Sequence, residues 1–160
     1  RRRQTGEPVE TVPVPIFDPR PPEVIAHAEL NRIEALNLPA QRQIKEYYTL
    51  VSNCLRRYIE GRYRIPAMEQ TTYELRTSFR RNHVAPNDSV GLLKLVTESD
   101  YVKFARYQPR EEEINSLINK ARAVVDATTA SAKAREIPMA SPPASSPPAP
   151  PSMEPKEVQA

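Results

Sequence analysis

Apolar residues recur at helical spacing through most of the middle of the chain. In residues 22 to 36 they are separated by four, three and three positions, the spacing of one face of an α-helix. They are Ala26, Leu30, Ile33 and Leu36. The preceding Pro21-Pro22-Glu23 suits a first turn, because proline needs no donor there and a carboxylate favours the positive end of the helix dipole. The pattern predicts an amphipathic helix that ends at Asn37-Leu38-Pro39.

The longest apolar stripe covers residues 40 to 62 and predicts a second helix. Its members are Ile44, Tyr47, Tyr48, Val51, Cys54, Leu55, Tyr58 and Ile59. Gly61 is expected to stop this helix, with Arg62 and Arg64 placed where cations favour a helix C-terminus. Cys54 lies on the stripe, so it is interpreted as a small core residue rather than a nucleophile.

Two shorter helices are predicted next. Thr71-Thr72-Tyr73-Glu74 has the order of a capping box, hydroxyl first and carboxylate three residues on, and opens a helix over about 72 to 82. Asn87-Asp88-Ser89 is expected to cap a fourth helix, bent or broken near Glu98-Ser99-Asp100. The residues expected to face inward on the fourth helix are Val90, Leu93, Val96 and Tyr101.

The secondary structure of residues 100 to 107 is ambiguous. The alternation of Tyr101, Lys103, Ala105 and Tyr107 with the residues between them also fits a strand, although no partner strand is evident. We expect instead a turn that buries Tyr101, Phe104 and Tyr107. Lys103 and Arg106 would then be exposed beside it and are candidate contacts for an acidic partner. A purely structural role for the segment is the favoured interpretation, and a docking site is the alternative.

A fifth helix is predicted to begin at Pro109 and Glu111-Glu112-Glu113, because proline and carboxylates favour a first turn. Its apolar residues are Ile114, Leu117, Ile118, Ala121, Val124 and Val125. The whole pattern predicts an all-α fold, a bundle of about five helices over residues 22 to 128.

Composition separates this middle from both ends. Of the 18 prolines in the 160 residues, most lie before residue 23 or after residue 137. Residues 1 to 21 are therefore interpreted as a basic, proline-rich, juxtamembrane linker. Residues 129 to 160 are rich in Pro, Ala and Ser and are expected to be a disordered tail.

Several chemistries lack the residues they need. One cysteine cannot form an intramolecular disulfide or a cysteine-based zinc site, and the three glycines are too scattered for a phosphate-binding loop. His27 and His83 have no partner at metal-ligand spacing and are interpreted as surface or helix-end histidines. We predict no catalytic, cofactor or metal residues, and hence no enzyme.

Net charge is +3, which is the charge of Arg1, Arg2 and Arg3 alone. The predicted folded part is nearly neutral, whereas nucleic-acid binders usually carry a basic excess. An alternative function, a soluble nucleic-acid-binding regulator, would use arginines on neighbouring helices. They are Arg56, Arg57, Arg76, Arg80 and Arg81, together with Arg1, Arg2 and Arg3.

The arginine tract itself has two interpretations. It could be a nucleic-acid or localisation patch, or it could flank a transmembrane helix encoded just upstream, as the positive-inside rule describes. The second interpretation also accounts for a first residue other than Met.

Three segments of the middle, in their order, resemble a known family. They are Gln43-Ile44-Lys45-Glu46-Tyr47-Tyr48, then residues 55 to 69 followed by Thr71-Thr72-Tyr73-Glu74-Leu75, then Ser99 to Pro109 with the helix after it. Together they resemble the cytoplasmic C-terminal helical domain of BatD-like proteins, the bacterial Bacteroides aerotolerance or oxygen-tolerance family, and of its short single-span relatives. The resemblance covers about residues 27 to 126.

The resemblance implies a domain on the cytoplasmic side of a bacterial inner membrane, reached through a membrane segment upstream. It implies protein partners, a MoxR-like AAA+ ATPase and von Willebrand factor A-domain membrane proteins, and no catalytic residues. The expected function is therefore a non-enzymatic interaction or scaffold domain. Lys103, Arg106, Arg56 and Arg57 are its candidate partner-binding residues, and nucleic acid is not an expected partner.

Overall fold

The computed structural model describes residues 18 to 136, and these form five α-helices without any strand. The helices are α1 (Pro22–Leu36), α2 (Ile44–Tyr63), α3 (Thr72–Arg81), α4 (Pro86–Phe104) and α5 (Glu111–Glu136). Single 3₁₀ turns, Pro39–Gln41 and Ala67–Glu69, precede and follow α2. The predicted all-α fold with about five helices is confirmed. The expected linker and tail lie mainly in residues 1 to 17 and 137 to 160, outside the described residues.

Helix α2 is the centre of the bundle and packs against α1, α4 and α5. Every member of its predicted stripe except Ile44 is buried, and Ile44 packs partly against the core. Tyr58 is the largest fully buried side chain. Its hydroxyl contacts Thr128 Oγ1 at 2.7 Å and Thr129 Oγ1 at 2.9 Å on α5. The central helix thus orders its neighbours by both apolar packing and buried hydrogen bonds.

Gly61 does not end α2, contrary to the prediction. The helix continues to Tyr63 and ends with Arg64 in the left-handed conformation, φ 58°. A Cβ on Gly61 would lie 3.2 Å from Pro22 Cβ, which is closer than most Cβ atoms approach non-bonded atoms in proteins. The glycine therefore serves the close approach of α1 and α2 rather than helix termination.

Helix α1 agrees with the sequence pattern at both ends. Pro22 occupies the first turn, Glu23 is its acidic residue, and Asn37 closes the helix in the left-handed conformation, φ 49°. Ala26, Leu30 and Ile33 are buried, whereas Leu36, expected on the same face, is exposed. The last member of the predicted stripe thus lies beyond the contact with α2.

Helix α4 differs most from prediction. Its N-cap is Ala85 with Pro86 in the first turn, so Asn87-Asp88-Ser89 lies inside the helix and does not cap it. The helix continues without a break through Glu98-Ser99-Asp100, where the Ser99 hydroxyl is buried and donates to the Leu95 carbonyl at 2.9 Å within the same helix. Of residues 100 to 107, expected to form a turn, residues 100 to 104 are the end of α4 and only residues 105 to 107 lie in the turn.

The chain reverses after Phe104. Arg106 is left-handed, φ 54°, and the Tyr107 amide donates to the Tyr101 carbonyl at 3.2 Å, a helix-ending pattern that usually uses glycine. Helix α5 begins at Glu111, so Pro109 precedes the helix rather than opening it. The three glutamates do occupy its first turn, as predicted.

Helix α5 is longer than expected. It continues past residue 128 to Glu136, and Thr128 and Thr129 are buried against Tyr58. The expected boundary at 128 is therefore too early, because the composition changes only after the helix has ended.

The capping box of α3 is present. The Glu74 amide donates to Thr71 Oγ1 at 3.2 Å, and the Thr71 amide donates to Glu74 Oε2 at 2.8 Å. We expect Thr71→Ala to lower the free energy of unfolding by about 1 kcal/mol, because a donor at the helix start loses its acceptor. Urea unfolding measures the change. Thr77→Ala, in the middle of the same helix, is the matched control and should change stability by less than about 0.5 kcal/mol; equal effects would contradict the capping role.

Candidate protein-interaction surface

One face of α4 carries apolar side chains into solvent. Its inward residues are Leu92, Leu95, Val96, Ser99 and Val102. On the opposite side Val90 is 65 % exposed, Tyr101 56 % and Phe104 75 %. Val90, Thr97 and Phe104 are seven residues apart, with Lys94 and Tyr101 between them, which is the spacing of a helix-docking seam. We call Val90, Lys94, Thr97, Tyr101 and Phe104 the outer face of α4.

The first half of this face borders a groove between α3 and α4. The groove has a volume of about 590 Å³. Buried Phe79, Val84 and Leu93 lie along it, and Val90 lies at its open side. Arg76, Arg80 and Lys94 also line the groove, and all three are exposed. The groove, which we call the α3/α4 groove, is therefore apolar inside and is lined by three basic side chains and one half-buried carboxylate, that of Glu98.

The second half of the outer face ends in exposed aromatic rings. Tyr101, Phe104 and Tyr107, predicted to be core, are exposed; that prediction is wrong, and so is the inward placement of Val90. The inward positions belong to Ser99 and Val102, which leave Tyr101 and Phe104 on the solvent side. Lys103 Nζ lies 5.0 Å from the centre of the Phe104 ring, close enough for a cation–π contact.

Tyr107 is held against the start of α5. Its hydroxyl donates to Glu113 Oε1 and Oε2, both at 3.0 Å. The hydrogen bond to the Glu113 carboxylate, with its negative charge, raises the pKa of Tyr107. Tyr101 and Tyr107 also border a smaller cavity of about 260 Å³ between α4 and α5. The aromatic end is thus tied to the bundle, with Lys103 beside it and Arg106 exposed in the following turn.

Arg56, a predicted partner-binding residue, lies inside the domain. It is 8 % exposed, and its Nη1 donates to the carbonyls of Ala67 at 2.7 Å and Gln70 at 2.6 Å. Its Nη2 reaches Thr72 Oγ1 at 3.4 Å, and the Thr72 hydroxyl in turn donates to the Asp100 carboxylate. The Arg56 guanidinium therefore holds the segment between α2 and α3 in place. This internal role could not be inferred from the position of Arg56 in the sequence.

Arg57 lies on a different surface from Lys103 and Arg106. Its side chain is exposed and lies 3.7 Å from Glu29 of α1. It lines a cavity of about 600 Å³ between α1 and α2. Half-buried Lys103 and exposed Arg106 lie at and just after the end of α4, whereas Arg57 lies on α2. Arg1, Arg2 and Arg3 lie outside the described residues.

The arginines proposed for nucleic acid do not form one described surface. Arg56 is buried, Arg57 lines the α1/α2 cavity, and Arg76 and Arg80 line the α3/α4 groove. A binder that tracks a phosphate backbone needs such charges along one face. Arg81 is exposed at the end of α3, so the described arginines of this hypothesis are divided among several places.

Potentially reactive side chains lie apart from one another. Cys54 is buried as predicted, and burial raises its pKa to about 12, so the thiol stays protonated near neutral pH. His27 Nε2 lies 2.7 Å from Asp126 Oδ1 across α1 and α5. Within residues 18 to 136, no group of three metal-ligating side chains is close enough to hold an ion.

Comparison with protein-family models, curated proteins and solved structures gives no match for this chain. None of the helices between residues 18 and 136 is both long and apolar enough to cross a membrane. The spacing of Val90, Thr97 and Phe104 was the one signal in the sequence that could have revealed the outer face of α4.

Exposure of Phe104 has a direct consequence for stability. We expect Phe104→Ala to change the free energy of unfolding by less than about 0.5 kcal/mol, because most of the ring already contacts water. Leu92→Ala, on the inward face of the same helix, should cost about 2–5 kcal/mol. Urea denaturation of both variants tests the orientation of α4, and a large loss on removing Phe104 would show that the ring belongs to the core.

Substitutions of the neighbouring residues Arg56 and Arg57 on α2 should differ in their effect on stability. Arg56→Ala leaves the buried Ala67 carbonyl without its donor, so we expect a loss of at least about 2 kcal/mol in unfolding free energy. Arg57→Ala removes only an exposed ion pair and should cost less than about 0.5 kcal/mol. Chemical denaturation of the two variants provides the comparison; similar losses would argue against the internal role of Arg56.

Proposed function

We propose that this chain is a non-enzymatic interaction domain that binds an amphipathic helix of a partner protein along the outer face of α4. The observation that carries the proposal is the alignment of exposed Val90, Tyr101 and Phe104 on one side of a helix whose other side is buried. Helix-in-groove recognition uses anchors at this type of spacing. The distance from Val90 to Phe104 is about 21 Å at 1.5 Å per residue, long enough for several anchors.

Charge around the face indicates the chemistry of the partner. Arg76, Arg80 and Lys94 surround the α3/α4 groove, and Lys103 lies beside Phe104 at the other end. Complementary charges at an interface speed association and select against partners of the same sign. A helix with leucine-like anchors and flanking carboxylates suits this surface better than a neutral or basic one.

The resemblance to BatD-like proteins supplies the cellular setting of the proposal. In that setting the domain lies on the cytoplasmic side of a bacterial inner membrane, with Arg1, Arg2 and Arg3 flanking an upstream membrane helix. The partners would be a MoxR-like AAA+ ATPase or a von Willebrand factor A-domain membrane protein. The domain would bring such partners together at the membrane surface, through binding and spacing rather than chemistry.

A binding measurement with purified proteins tests the surface. The native chain is titrated with the MoxR-like ATPase and, separately, with the von Willebrand factor A domain from the same genome. We expect the double variant Val90→Ser, Phe104→Ser to lower the affinity at least tenfold, since both anchors are lost while the core is kept. Tyr73→Ser is the matched control, because Tyr73 is 79 % exposed on α3 and does not line the groove.

The possible results distinguish an error in the proposed binding surface from an error in the proposed partners. Tenfold weaker binding of the double variant, with unchanged binding of the Tyr73 variant, supports the outer face of α4. Equal binding of native chain and double variant would place the interface elsewhere. If neither protein binds the native chain, the partners taken from the resemblance are wrong.

A further inference from the structure

The smaller cavity, between α4 and α5, is bordered by three tyrosines and two carboxylates. The tyrosines are Tyr48 of α2, Tyr101 of α4 and Tyr107 of the turn after α4, and the carboxylates are those of Glu98 and Glu113. Its volume of about 260 Å³ is below the roughly 300 Å³ at which pockets for drug-sized ligands begin. We call it the tyrosine cavity, and its size suits one small chemical group.

Buried residues form the closed side of the tyrosine cavity. Tyr48 is 3 % exposed, and Val102 and Leu117, which also line the cavity, are buried as well. Tyr101 and Tyr107 are about half exposed and therefore border the opening. A group that enters between these two rings would meet a third ring and an apolar wall inside.

Two polar groups of the tyrosine cavity have no protein partner within residues 18 to 136. The Tyr48 hydroxyl makes no hydrogen bond there, although the residue is almost fully buried. The half-buried Glu98 carboxylate forms neither a hydrogen bond nor an ion pair with a described residue. Buried polar groups in native proteins are normally paired, with protein atoms or with something bound. Both groups can accept a hydrogen bond, so the cavity calls for a donor.

The charges that line the tyrosine cavity favour a cation as that donor. Two carboxylates face one ammonium, that of exposed Lys120, which leaves one negative charge in excess. No ion pair described for the chain joins Lys120 to Glu98 or Glu113. Glu113 already accepts from the Tyr107 hydroxyl and from the Arg110 amide, each at 3.0 Å. Glu98 is therefore the carboxylate with capacity left for a ligand.

The tyrosine hydroxyls themselves stay neutral. Burial, followed by the negative charges of Glu113 and Glu98, raises the pKa of Tyr48. The bond to the Glu113 carboxylate does the same for the pKa of Tyr107. Near neutral pH both rings are therefore uncharged, and their faces are available to a cation.

We propose that the tyrosine cavity binds the ammonium end of an alkylamine, with the tyrosine rings around the cation and the Glu98 carboxylate as its counter-ion. Aromatic rings attract organic cations electrostatically, and several rings around one cation are a known arrangement for quaternary ammonium and methylated lysine. A free quaternary amine and a lysine side chain of another protein share this chemistry, since each presents a positive charge on an aliphatic stem. The inference does not rest on the proposed function, because it concerns the cavity beside α5 and not the outer face of α4.

A metal ion fits the same residues less well. Calcium takes six to eight oxygen ligands and magnesium about six, whereas the tyrosine cavity offers two carboxylates and neutral hydroxyls. Its apolar wall of Val102 and Leu117 would contribute nothing to a metal ion. The methylene or methyl groups of an alkylamine would pack against that wall.

An NMR titration of the full chain tests the proposal with three small probes. They are choline, the neutral analogue of choline in which carbon replaces nitrogen, and a lysine blocked at its backbone amine and carboxylate. We expect saturable shifts of the amide signals of Tyr48, Val102 and Leu117 with at least one cation, and no saturable shift with the neutral analogue. Tighter binding of choline indicates a free quaternary amine as the ligand, and tighter binding of blocked lysine indicates a lysine side chain.

Substitution of single glutamates tests the role of Glu98. We expect Glu98→Gln to weaken binding of the cation at least about fivefold, because a charge-assisted contact becomes a neutral one. Glu112→Gln is the matched control, since it removes the same charge from an exposed position that does not line the cavity. Urea unfolding of both variants checks that the fold is kept.

Three results would overturn the proposal. They are shifts of equal size with the neutral analogue, no shifts with either cation, and equal weakening by the two glutamate substitutions, which would reduce the effect to net charge. Binding that appears only in Lys120→Gln would make Lys120 the occupant of the cavity in the native chain and would overturn it too. Because no partner protein is present, failure here and failure of the proposed function are separate results.

Discussion

Burial of α2 on several sides at once is the constraint on which the rest of the domain depends. A helix of this kind offers few positions to water, so most of its polar side-chain atoms need partners inside the protein, although Ser52 Oγ, Arg62 Nε and Tyr63 Oη have none among the described residues. The Tyr58 hydroxyl finds them on α5, and Arg56 finds them in the segment that leads to α3. The positions of α3 and α5 relative to α2 are therefore set by hydrogen bonds as well as by apolar contact.

Charged contacts at the surface reinforce the same arrangement. Arg122 of α5 donates to Asn31 at 2.8 Å and Glu34 at 2.6 Å on α1, and Arg62 of α2 pairs with Glu23 at 2.5 Å. An exposed pair adds little stability, but the Arg62–Glu23 pair is largely buried, and both contacts join helices distant in sequence. The outer face of α4, where Val90, Tyr101 and Phe104 are exposed, takes no part in these contacts.

Local signals in the sequence predicted much of the fold and little of the site. The α2 stripe, the Thr71 capping box and the acidic first turn of α5 depend on neighbouring residues, which the sequence displays. Arg56 was predicted to lie on the surface. The sequence gives no sign of its partners, because they are backbone carbonyls of the segment after α2. Phe104 was expected in the core as an aromatic residue of a turn over residues 100 to 107, whereas α4 continues to Phe104 and its inward position is taken by Ser99, a polar residue whose hydroxyl bonds within the helix. The site depends on this register, which composition does not determine.

The two apolar ends of α4 lie about four helical turns apart, with Lys94 and Thr97 between them. A ligand that touches one end gains one anchor, whereas a helix of about 14 residues or more reaches Val90 and Phe104 together. Affinity should then rise sharply once the ligand exceeds that length, since the second contact is made within an already formed complex. In the proposed mode of binding, the distance between Val90 and Phe104 would select partners by the length of the helix they present.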